Sequence, residues 1–136
     1  MQVNPYLFFN GQCEAAFQFY EQCLGGKIVA IHRFEGSPMT GQVPSDWGNK
    51  VMHISLQVGS QVLMGSDATG EHYQKPQGFR ICLGFKNTAD GERVFKALVE
   101  GGTAHMPFQK TFWSEGFGML SDRFGIPWMI SCESAG

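Results

Sequence analysis

A chain of 136 residues, 43% hydrophobic and only 16% charged, carries enough apolar mass for one folded domain but less charge than an ordinary soluble surface, which suits a homodimer that buries part of that surface. The formal net charge of −2, with no basic tail and no dense Lys/Arg block, argues against binding nucleic acid through phosphate neutralisation. No apolar run is long enough for a transmembrane helix, and MQVNPYLFF lacks the basic start and apolar core of a secretion signal, so no membrane association and a cytoplasmic location are expected.

In chain order, Pro5 to Phe9 reads as a short strand closed by the turn signal Asn10-Gly11. Residues 13–24 follow a helical period, with Ala16, Phe17, Tyr20 and Leu24 on one face, and Gly25-Gly26 stops the helix. Lys27 to Phe34 reads as a strand. Residues 35–50 are dense in Gly and Pro and form a long loop containing Trp47. Val51 to Val58 is a strand in which Met52, Ile54, Leu56 and Val58 alternate with His53, Ser55 and Gln57. Gln61 to Gly65 completes a hairpin, and Ser66 to Gly78 is a polar loop.

The order then repeats. Phe79 to Phe85 is a strand, and residues 90–100 a helix with Val94, Phe95, Leu98 and Val99 on its apolar face. Gly101-Gly102 matches Gly25-Gly26. Thr103 to Phe108, Phe117 to Asp122 and Pro127 to Glu133 are strands, with an aromatic loop over 110–116. This repetition predicts an α+β protein, a single domain over 1–136 made of two β-α-β-β-β modules at approximately 1–76 and 77–136. Each mixed sheet is expected to carry its helix outside, with the inner faces forming a cup around a shared cleft. The four cysteines, Cys13, Cys23, Cys82 and Cys132, lack a C-x-x-C spacing and read as reduced, mostly buried groups.

Several segments carry a family likeness: the helix ending in Gly25-Gly26, the His53 strand, Leu63-Met64-Gly65-Ser66-Asp67, Thr111-Phe112-Trp113, and Phe117-Gly118 through Asp122-Arg123-Phe124-Gly125-Ile126-Pro127-Trp128. Together they resemble the PhnB-like branch of the vicinal oxygen chelate superfamily, whose members are called glyoxalase-like, bleomycin-resistance-like or 3-demethylubiquinone-9 3-methyltransferase-like. The resemblance spans essentially the whole chain. It implies a half-closed cup, and in the metal-using relatives His, Glu or Gln ligands on the first and last strands of each module. Those ligands hold one divalent metal that acts as a Lewis acid or activates water. This chain has Tyr6, Phe8 and Phe9, then Met64, then Arg80 and Cys82, then Met129 at the corresponding places. A thioether is a poor ligand for a hard or borderline divalent ion. No cofactor is identified, and a divalent metal would need a rearranged ligand set.

His53 is the leading candidate for catalysis, as base, donor or ligand; the plainer reading is a hydrogen-bonded histidine on a sheet surface. Asp67 could join His53 as a metal ligand, with Glu71 or His72 as a third, or could serve a turn. Trp47, Phe112 and Trp113 are candidates for ligand contact, against core capping or a dimer seam. Arg80 could bind an anionic oxygen, and Glu115 could supply a carboxylate nearby. Neither Gly-Gly pair lies in a phosphate-binding signature, and no strand is followed by a glycine-rich loop for S-adenosylmethionine. The expected function is therefore binding of an unknown small molecule in the cleft by a divergent member of this fold, catalysis being open. A metal-dependent lyase, isomerase or dioxygenase and an antibiotic-sequestering protein are the alternatives.

Overall fold

The computed structural model describes residues 1–133, so residues 134–136, the end of the expected domain, lie outside the described residues. Two units follow one another, residues 1–74 and the remainder from Lys75. The first contains β1 (Tyr6–Phe9), α1 (Cys13–Leu24), β2 (Lys27–Arg33), β3 (Val51–Val58) and β4 (Gln61–Asp67), with two 3-10 turns, Thr40–Gln42 and Ser45–Trp47, in the long loop. The second contains β5 (Ile81–Phe85), α2 (Thr88–Val99), β6 (Thr103–Gln109), β7 (Phe117–Ser121) and β8 (Pro127–Cys132). Each unit is one four-stranded mixed sheet, ordered β1-β4-β3-β2 and β5-β8-β7-β6. In each, the first strand pairs in parallel with the last and the other pairs are antiparallel. The α+β class and the repeated β-α-β-β-β module are thus what the chain forms. Among the described residues no helix is long and apolar enough to cross a membrane.

The Gly-Gly pairs explain how each helix returns to its sheet. Gly25 takes φ +73°, a left-handed helix end that glycine adopts without penalty, and its N–H bonds Glu21 O at 3.2 Å. Gly26 then passes so close to β3 that a Cβ would meet Gln57 O at 2.6 Å. In the second unit Gly101 has φ +78°, and Gly102 lies against the end of β7 at Ser121.

One helix covers one face of each sheet. Cys13, Ala16, Phe17, Tyr20 and Cys23 of α1 are buried, with Leu7, Phe9, Ile54, Leu56 and Leu63 of the sheet. On α2 the buried residues are Gly91, Val94, Phe95 and Leu98. This helix begins at Thr88 rather than 90, because the Asn87 side chain accepts from the N–H groups of Ala89 and Asp90 and caps it. The simple alternation in β3 also breaks. His32 pairs with His53 and Arg33 with Val51, so Met52 is an extra residue in a bulge. Val51, not Met52, becomes fully buried. Arg33 grips both oxygens of Glu14 at 2.9 Å, and this contact holds the Glu14 carboxyl below its ordinary range. The pair therefore stabilises the fold above the ordinary glutamate pKa and is lost as pH falls through the lowered folded value; its partial exposure limits it to about 1 kcal/mol or less.

Gly65 in β4 is a close approach between the first sheet and α1: a Cβ there would lie 2.7 Å from both Leu7 O and Phe17 Cε1. Gly65→Ala should cost about 1–3 kcal/mol by overpacking. It should lower the urea midpoint without changing the slope, and an unshifted midpoint would contradict this packing.

Candidate functional site

The face of the first sheet that α1 leaves free collects the polar residues. Leu7 and Phe9 of β1 point under the helix, which turns Tyr6 and Phe8 the other way, 38% and 50% exposed. On β4, Leu63 and Gly65 belong to the helix side, so Met64 faces away from it. On β3, Ile54 and Leu56 are buried and His53 and Ser55 lie on the reverse. Register lines these up: Tyr6 opposes Met64, Met64 opposes Ser55, and His32 opposes His53.

His53 is held from both sides. Its Nδ1 is 3.1 Å from Tyr6 Oη, and its Nε2 is 3.1 Å from Ser55 Oγ. The Tyr6 ring leans on the imidazole with centroids 5.7 Å apart, and His32 stacks on the opposite side at 6.3 Å. Phe8 lies 5.1 Å from Tyr6 and extends the aromatic floor. A neutral imidazole donates from one nitrogen and accepts at the other. One hydroxyl therefore donates to the ring and the other accepts from it, in either of two polarities. Switching polarity relays a proton along Tyr6–His53–Ser55 when one is taken up at one terminal hydroxyl and another is released from the other, leaving the net charge unchanged. The sequence marks His53 and Ser55 as one face, but not Tyr6, which lies 47 residues from His53. The signal available in sequence was only Tyr6's offset from the buried positions of β1.

The other expected site residues fall elsewhere. Asp67 is on the helix side, 4% exposed, with Oδ1 accepting from Cys13 N and Oδ2 from Val51 N, both at 2.9 Å. The expected His53–Asp67 ligand pair is thus split between opposite faces. Burial, then the charges of Asp67 and Glu14, push the Cys13 thiol far up, so it stays protonated. Glu71 and His72 are exposed in the turn after β4. Trp47 packs on buried Phe34, centroids 6.5 Å apart, as a cap of the core. Arg80 uses one guanidinium nitrogen to brace the β7–β8 pair through Leu120 O and Trp128 O. In the aromatic loop Trp113 stands edge-on to Phe117 at 5.4 Å, while Phe112 is 97% exposed. Glu115 faces Lys110 at 3.8 Å. Cys82, expected to be buried, is exposed on the edge strand β5.

Comparison with known proteins gives one consistent family. Residues 1–131 match the family model described as 3-demethylubiquinone-9 3-methyltransferase. The protein YjdN of Escherichia coli K12 is 32% identical, over 96% of this chain and 95% of that one. The crystal structure of PA1353 from Pseudomonas aeruginosa is 46% identical, with a TM-score of 0.88 over 98% of both chains. A PhnB protein from Bacillus cereus shares the fold at 22% identity, with a TM-score of 0.80 over 97% of this chain and 99% of that one.

The donors present do not fit the divalent metal that this fold implies. The strand positions that would hold it carry Tyr6 and Phe8, Met64, Cys82 and Met129, and among the described residues no group of three His, Cys, Asp or Glu stands together. Asp67 instead serves the backbone, acting as a remote N-cap for α1, whose own cap residue Gln12 makes no side-chain capping bond. Asp67→Asn leaves one of the two N–H groups facing an amide NH2 and should cost about 1–3 kcal/mol. Thermal unfolding checks this; a loss of stoichiometric metal with no loss of stability would reverse the assignment.

Proposed function

The chain belongs to the 3-demethylubiquinone-9 3-methyltransferase family, within the PhnB-like glyoxalase/bleomycin-resistance branch of the vicinal oxygen chelate superfamily, and from this we propose that it binds a small organic molecule on the helix-free face of its first sheet. The observation that carries the reading is the Tyr6–His53–Ser55 chain beside an exposed Tyr6–Phe8 floor. A hydroxyl or carbonyl of the ligand meets the hydroxyl end of the chain, and a planar apolar part lies on the rings. His53 is the group that would take or return a proton, so the arrangement suits enolisable or phenolic ligands.

Methyl transfer, which the family description names, finds no support in the residues: no strand–helix turn here is glycine-rich in the manner of a nucleotide-binding loop, and both sheets are mixed four-stranded modules. A metal-dependent lyase, isomerase or dioxygenase would need a ligand set other than the residues at the usual strand positions. No observation favours antibiotic sequestration. The low charge and Phe112's exposure support a homodimer as part of the same reading.

Methionine-methyl NMR tests the location. Met64 lies between Tyr6 and Ser55, so its 13C-labelled methyl reports this face. Phenols and hydroxyketones screened against the labelled protein should shift Met64, and His53→Ala should weaken the best of them by about tenfold or more, the worth of a hydrogen bond to a buried polar partner. Ligands that shift only other methionines, or bind His53→Ala equally well, would refute the proposal.

A further inference from the structure

The helix-free face of the second sheet has a different chemistry, concentrated in one row. Cys82 on β5 opposes Met129 on β8, Met129 opposes Met119 on β7, and Met119 opposes Met106 on β6. The sulfur side chains of Cys82, Met129 and Met119 therefore stand in register on three adjacent strands. Their face is set by their neighbours. A Cβ on Gly118 would meet Phe95 of α2 at 2.7 Å, so Gly118 faces the helix and Met119 faces away. Trp128 and Ile130 are fully buried, while Met129 between them is only partly covered. Cys82 is the one exposed cysteine among the four; Cys13, Cys23 and Cys132 are buried.

We propose that Cys82, Met129 and Met119 form a binding site for a soft monovalent metal ion of the Cu(I) class. Neighbouring strands lie about 4.7–4.9 Å apart, so side chains in register on three strands are within reach of a single ion lying over the central residue. A flexible thioether on each of two adjacent strands closes on the ion from one side and the Cys82 sulfur from the other. Thiolate with thioether donors selects Cu(I) over hard or borderline divalent ions. Binding forms the metal–thiolate bond and releases the Cys82 thiol proton to solvent, with no change of oxidation state. The same substitutions that make a poor divalent site on this sheet make a good one for a soft cation, and the inference does not rest on the organic ligand proposed for the first sheet.

The test is an anaerobic titration of the reduced full-length protein with Cu(I) in competition with the chromophoric chelator bicinchoninate. One Cu(I) per chain is expected, with X-ray absorption showing more than one sulfur at about 2.3 Å, as for other metal–thiolate bonds. Cys82→Ser and Met129→Leu should each weaken binding by at least the roughly 10- to 100-fold that even outer-shell losses cost. Met-to-Leu changes nearly conserve volume, so a Met129→Leu/Met119→Leu variant should remain folded by circular dichroism. Absence of Cu(I) binding, affinity unchanged in that double variant, or binding that survives Cys82→Ser would each overturn the proposal.

Discussion

A four-stranded sheet has two faces, and each unit of this protein supplies a single helix to cover one. That constraint sorts the strands except where bulges interrupt the alternation. Leucine, isoleucine and phenylalanine at one parity go under α1 or α2, and whatever stands at the other parity is left on the free face. In the first unit the remainder includes Tyr6, Phe8, His53, Ser55 and Met64; in the second it includes Cys82, Met129 and Met119, with Ser121 and Ser131 beside them. The two units share a topology, yet one free face is rich in hydrogen-bonding groups and the other in sulfur. The two proposed ligand sites rest on that divergence between repeats.

The buried carboxylates belong to the covered side and work for the backbone. Asp67 accepts from Cys13 N and Val51 N, joining the start of α1 to β3 at the end of β4. Asp122 accepts from the N–H groups of Phe124 and Ile126 and from Trp128 Nε1, holding the β7–β8 turn against the core. A buried charge is tolerated where its oxygens are satisfied in this way, and oxygens so engaged are not available to a metal or substrate. An aspartate near a strand end therefore says little by itself about chemistry. The face it occupies and the N–H groups it meets decide the matter.

Much of the fold was legible. The helix over 13–24 and the strand over 51–58 follow from periods that packing on a single face enforces, and the Gly-Gly stops marked the repeat. Non-local pairing accounts for most of the rest. β4 runs on to Asp67 because β1 pairs with it in parallel, so a residue that reads as part of a loop is in a strand. The bulge at Met52 exchanges the burial of Val51 and Met52, which no count by twos anticipates. Cys82 sits in an apolar-looking segment, yet its strand is an edge and its parity is outward. At the site, His53 and Ser55 were recognisable as neighbours, whereas Tyr6 required knowledge of strand order. The aromatics Trp47 and Trp113 carried no local signal separating a core cap from a ligand wall, because the partners they meet, Phe34 and Phe117, become neighbours only in the fold.

The first sheet's free face depends on His53 being held at both nitrogens, and side-chain 15N NMR of histidine measures this directly. With the imidazole neutral, His53 should show one dominant tautomer, with widely separated Nδ1 and Nε2 shifts and a slowly exchanging proton between it and Tyr6 or Ser55. The exposed His72 should average between tautomers and serve as the internal control. If His53 averages as His72 does, the Tyr6–His53–Ser55 chain is not formed in solution, and the assignment of this face as the ligand site fails with it.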